Sequence, residues 1–147
     1  MNEIKRVGIY DKNSIFESFV LDLNFFNVLE QMKFSKENFL KFVQVYINNE
    51  PYLRLGGEYD KILLEKVLSE FDIKFETEEI EDGIIIPVRK GEKYELVGAG
   101  KSKPEGGNII LYDCRGDYSI FPDKNHLEEI QQYSPIKLII ENKSDLK

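Results

Sequence analysis

With 147 residues, 41% of them hydrophobic, the chain can bury a core of its own without disulfides or metals. Its one cysteine, Cys114, excludes an intramolecular disulfide and a multi-cysteine zinc site and fits a reducing compartment, so a cytoplasmic location is expected. A net charge of −7 argues against nucleic acid as a partner, since phosphate binding draws its affinity from lysine and arginine.

No apolar run approaches the length of a membrane span, and the residues after Met1 are polar instead of forming the apolar stretch of a signal peptide. Neither membrane partner nor leader is therefore expected.

In chain order, Ile4 to Tyr10 reads as a strand, Asp11 to Ser14 as a turn, and Phe16 to Phe25 as a second strand. Ser14 and Glu17 have capping-box spacing and would instead start a helix. The two-residue alternation of Phe19, Leu21, Leu23 and Phe25 favours the hairpin. Ser35 then caps a helix reaching about Asn48, with Phe39, Phe42, Val43, Tyr46 and Ile47 on one face and Pro51 just beyond its end.

Gly56-Gly57 separates this from a second helix, about Glu58 to Phe71, which buries Tyr59, Ile62, Leu63, Val67 and Phe71. Strand patterning follows from Ile73 to Glu78, and Asp82-Gly83 is a strong hairpin signal leading into Ile84 to Arg89. Tyr94 to Val97 is a further strand, and Gly98 to Gly107 reads as a loop. Ile109 to Cys114 and Tyr118 to Phe121 form a hairpin around Arg115-Gly116. A short helix opened by Pro122 and Asp123 and running through Gln132, and a strand Ile136 to Ile140, complete the chain. The expected fold is one α+β domain over residues 1–147. Its sheet is expected to be mainly antiparallel with about five to seven strands, two main helices and a short C-terminal helix, and a charged flexible tail from about residue 142.

Three motifs suggest chemistry. Gly98-Ala-Gly-Lys-Ser102 resembles part of a phosphate-binding loop, but Glu95 stands where that loop needs its first glycine, and Lys103-Pro-Glu-Gly-Gly107 follows where a helix should begin. Arg115-Gly116-Asp117 is explained by turn chemistry. Cys114 and His126 are the one candidate thiol–imidazole pair, with Asp113 or Asp123 to orient the ring. A small buried thiol and an exposed histidine are the commoner outcome for such residues. No catalytic residue, cofactor or metal site is assigned, because a single histidine is too few for a transition metal and the acids lack a calcium-loop pattern.

Charge is distributed unevenly. Between Glu58 and Asp82 ten acids stand against three lysines, whereas the rest of the chain is balanced. Asp60, Glu65, Glu70, Glu76, Glu78, Glu79, Glu81 and Asp82 are the candidate partner-binding residues, an acidic face that would steer a basic protein. A solvated edge strand guarded against aggregation would carry the same charges. The leading expectation is a non-catalytic inhibitor or immunity-type protein that neutralises a basic partner such as a toxin nuclease. Its rivals are a small-ligand or thiol-dependent enzyme domain built on Cys114, Arg115, His126 and the Gly98 to Gly107 loop, and a structural or regulatory homo-oligomer paired through the Ile136 to Ile140 edge.

Overall fold

The computed structural model describes residues 6–10, 18–20, 40–105, 107–113, 118, 120–134 and 136–141. They contain nine strands: β1 (Val7–Tyr10), β2 (Ser18–Val20), β3 (Leu40–Ile47), β4 (Glu50–Gly56), β5 (Thr77–Glu79), β6 (Ile85–Pro87), β7 (Tyr94–Glu105), β8 (Asn108–Tyr112) and β9 (Lys137–Glu141). Two α-helices accompany them, α1 (Asp60–Glu70) and α2 (Lys124–Gln131). Seven strands form one sheet in the order β2-β1-β4-β3-β7-β8-β9, and β5 pairs with β6 as a separate ribbon.

The sheet is mixed, which corrects the mainly antiparallel expectation. β1 runs parallel to β4 and β9 parallel to β8, while β1–β2, β3–β4, β3–β7 and β7–β8 are antiparallel. The physical reason at the C-terminal end is the crossover: α2 lies between β8 and β9 in sequence, and a strand returning after a helix is delivered parallel to the one it left. The expected strand from Tyr118 to Phe121 is absent, since Tyr118, Ile120 and Phe121 are not in a strand and β9 occupies the place beside β8. The hairpin turn proposed at Arg115-Gly116 and the tail from 142 lie outside the described residues, as do the 11–14 turn and residues 21–39.

The helix expected to reach Asn48 is, over Leu40–Ile47, the central strand β3. Its neighbours explain the error. One face of the sheet buries Phe42 with Val7, Ile9, Leu53, Leu55, Ile109, Leu111 and Leu138 beneath Ile130 of α2. The opposite face buries Val43, Val45 and Ile47 with Tyr10 and Tyr52 beneath Leu63, Leu64, Val67 and Leu68 of α1. A strand covered on both faces has no polar side to alternate with, and its near-continuous apolar run imitates a helical spacing. Asn48 and Asn49, at φ 51° and 68°, form the turn into β4, a left-handed pair suited to a two-residue hairpin.

Other expectations hold, except that Tyr59, expected to be buried by the second helix, is 66% exposed. β1 and β2 pair antiparallel, so the hairpin reading stands for Ser18–Val20. α1 falls within the anticipated second helix and ends in a Schellman-type turn: Asp72 sits at φ 56°, and the Ile73 amide donates to the Leu68 carbonyl at 2.9 Å. α2 is capped by Asp123, whose Oδ1 accepts from the His126 amide at 2.7 Å.

The supposed loop from Gly98 is instead strand, since β7 continues to Glu105. Gly98 and Gly100 permit this. A Cβ at Gly98 would overlap Oε1 of Gln44 and lie 3.0 Å from the Asp123 amide nitrogen, and one at Gly100 would overlap the carbonyl oxygens of Asp113 and Tyr112. These glycines serve close chain approach, not mobility.

Candidate functional site

The acidic segment divides in two when folded. Its first half is committed to the interior. Asp60, in the first turn of α1, is 1% exposed. Glu65 is half-buried; burial raises its pKa and Lys61 opposes that shift. Glu70, at the end of α1, faces Arg54 of β4, a fully buried guanidinium whose Nε and Nη2 lie 3.1 and 3.4 Å from its carboxylate oxygens. The Tyr10 hydroxyl donates to the same carboxylate, and Nη1 of Arg54 donates to the carbonyls of Arg6 and Leu53 at 3.3 and 3.1 Å. Lys66 approaches the Tyr10 ring at 5.5 Å. This buried ionic group ties α1 to the sheet and draws Glu70 away from solvent.

The second half forms an arm. Glu76, Glu78, Glu79, Glu81 and Asp82 are all exposed on the β5–β6 ribbon, where Glu78 pairs with Ile86 and Glu79 with Ile85. Asp82 and Gly83, at φ 63° and 75°, make the tight turn expected of Asp-Gly. Backbone bonds from Val88 to Glu76 (2.9 Å) and Ile80 to Ile84 (2.8 Å) extend the ladder beyond the paired residues.

The base of this arm is fastened to the body. Ile86 is buried, and Ile73, Phe75 and Val88 pack on the α1-side core. Tyr94 donates to the Val88 carbonyl and Tyr118 to the Pro87 carbonyl, each at 2.6 Å. Burial, and secondarily the nearby Glu76 charge, raise the Tyr94 pKa, so this hydroxyl remains a donor at neutral pH. The tip differs: Ile84 and Ile85 are 40% and 48% exposed beside the acids.

Sequence reading located the acids but missed these isoleucines. The available signal was Ile84-Ile85-Ile86, because a ribbon strand cannot bury three consecutive side chains on one face. The ribbon thus displays two exposed apolar side chains beside five exposed carboxylates.

The other motifs do not converge on a site. Lys101 lies in β7 and pairs with Asp113 at 3.7 Å, and Ser102 is buried, donating to the Leu40 carbonyl at 3.3 Å. Neither stands in a loop before a helix, as phosphate binding would require. Cys114, Arg115, Gly116 and Asp117 lie outside the described residues. His126, expected at the surface, is fully buried with Nε2 3.2 Å from the Val45 carbonyl oxygen. Among the described residues no cluster of three or more His, Cys, Asp or Glu has the arrangement of a metal site, and no helix is long and apolar enough to cross a membrane.

Two open polar grooves lie among the described residues. One, of about 370 Å³, lies between the Asn48-Asn49 turn and Lys90 to Glu95, and the other, of about 330 Å³, lies between Asp72 to Lys74 and Glu92-Lys93. Both lack the enclosed apolar walls of a typical small-ligand pocket. Comparison with family models, with curated proteins and with solved structures returned no match to this chain.

Proposed function

We propose that this protein is a non-catalytic binding protein of the inhibitor or immunity type, which docks its acidic arm on a basic partner such as a toxin nuclease. One observation carries the reading. Five acids and two exposed isoleucines are displayed together on a ribbon whose base is buried and fastened by two tyrosine hydroxyls. Such an arm reaches its partner already ordered, which spares the entropy cost of forming it on binding.

The contact surface comprises Glu76, Glu78, Glu79, Glu81 and Asp82 with Ile84 and Ile85. Glu70 acts behind it by holding α1 through Arg54, while Asp60 is buried and Glu65 half-buried. A nuclease fits this chemistry because its nucleic-acid cleft must be positive, and an acidic arm competes for that cleft.

The test uses wild-type protein and an E76K/E78K/E79K/E81K variant, each immobilised and exposed to lysate of the source organism. A protein retained by the wild type alone is purified, its Kd is measured against salt, and its activity is assayed with and without the binder. The expected results are a basic partner, binding weakened about tenfold or more between about 50 and about 300 mM salt, and loss of the partner's activity in the complex. A partner bound equally by the charge-reversed variant refutes the arm. A partner that remains active in the complex refutes the inhibitor role.

A further inference from the structure

His126 is the one histidine in the chain. It stands in the first turn of α2 at 0% exposure. Because Nε2 faces the Val45 carbonyl oxygen at 3.2 Å, this nitrogen carries the hydrogen and donates it. Nδ1 is then the bare nitrogen, and it is buried without a hydrogen-bond partner among the described residues. The carbonyl it leans on lies where the β3–β7 register shifts, between Gln44 and Val45.

α2 and its cap are tied to β3 by two further contacts. The Gln44 amide donates to the Asp123 carbonyl at 2.9 Å and accepts from the Asp123 amide at 2.6 Å, and the Tyr46 hydroxyl donates to Glu129. The His126 and Gln44 ties hold the start of α2, and the Tyr46 tie its later turn, to the one strand β3.

We propose that His126 is a proton-operated latch, which holds α2 on the sheet while neutral and releases it when protonated. A second proton must enter at Nδ1, which makes no hydrogen bond in the docked state, and it brings a full charge into a buried interface beside the positive end of a helix. The groups facing the imidazole are Asp123 and Glu129 from α2 and its cap, the Tyr46 ring edge-on at 5.0 Å from β3, and a backbone group of Tyr52 from β4. β9, the other strand against α2, contributes no charged group acting on the ring among the described residues.

The two carboxylates favour the imidazolium but are already engaged, Asp123 with the His126 amide and Glu129 with Tyr46. Burial outweighs them and places the histidine pKa below its ordinary 6.5. The docked state therefore refuses a proton that the released state accepts. Docking is at full strength above pH 6.5 and weakens as pH falls from there toward the lowered value. Release uncovers Leu127 and Ile130 together with the Phe42 and Leu53 face of the sheet. The latch lies on the face opposite α1 and is independent of the acidic arm.

Hydrogen exchange of the Leu127 to Gln131 amides, corrected for intrinsic rates, is compared at about pH 7.5 and about pH 5.5 in the wild type and in His126→Gln. The opening equilibrium in the wild type is expected to rise about tenfold across that interval, while Leu53 and Leu55 of β4 stay protected and the glutamine variant is flat. Equal protection at both pH values, acid loosening shared by the variant, or simultaneous loss of protection in β4 would each overturn the latch. Should the variant fail to fold, the single histidine resonance of the wild type decides by NMR titration: a midpoint below 6.5 supports the latch, and one at or above 6.5 overturns it.

Discussion

Replacing Glu70 with alanine removes the carboxylate that a fully buried guanidinium faces. Arg54 has 0% exposure, and of its polar contacts among the described residues only the Arg6 and Leu53 carbonyls would survive, at 3.3 and 3.1 Å. The Tyr10 hydroxyl loses its acceptor in the same step. Stranding one member of a buried pair costs roughly 3–5 kcal/mol, and because the Glu70 side chain retains 11% exposure, water can enter, which places the expected loss near the lower end, about 3 kcal/mol. The reverse deletion should be milder. In Arg54→Met the carboxylate can turn toward water and still accept from Tyr10, for a cost of about 1.5 kcal/mol. The double variant should lose little more than Arg54→Met alone, giving a coupling of about 2–3 kcal/mol in the cycle. Urea unfolding followed by far-UV circular dichroism measures all four proteins, with unchanged m-values showing that the native state is comparable. A Glu70→Ala cost below about 1 kcal/mol, or a coupling near zero, would show that the pair does not hold α1 to the sheet.

Three further outcomes follow from the geometry. Gly98→Ala should cost about 3 kcal/mol because the new methyl meets a glutamine amide fixed by two bonds to Asp123, whereas Gly57→Ala, with open space around its Cβ, should lie within about 0.5 kcal/mol of wild type; equal costs would refute the close-approach account. Asp123→Ala should lose about 1 kcal/mol through its helix cap, with Asp123→Asn recovering most of it, both read from thermal unfolding; no recovery by asparagine would mean the carboxylate charge, not the cap bond, is what matters. The E76K/E78K/E79K/E81K protein should keep wild-type stability within about 1 kcal/mol, since these side chains stand in solvent on the ribbon; a large loss would mean the arm's acids serve the fold.

Residues with strong local preferences were legible without the fold. Asp82-Gly83 makes a turn with left-handed backbone wherever it sits, and the amphipathic run of α1 and the capped start of α2 depend on neighbours three and four residues away. The sequence by itself therefore determined the α+β class, the ribbon turn, both described helices and the position of the excess acid. Tertiary structure decided the rest. β3 looked helical because its two apolar faces are explained only by a helix above and another below the sheet, and neither is near it in sequence. Gly98 and Gly100 looked like loop residues because the groups they make room for, Gln44 with Asp123 and the Tyr112–Asp113 carbonyls, come from elsewhere in the chain. Glu70 and Asp60 counted as surface charge until Arg54, Tyr10 and burial beneath α1 took them inward, and His126 counted as exposed until β3 closed over it. Local spacing encodes what a segment becomes, whereas which face of it meets water is set by long-range packing, and that contact decides which of its charges remain to bind a partner.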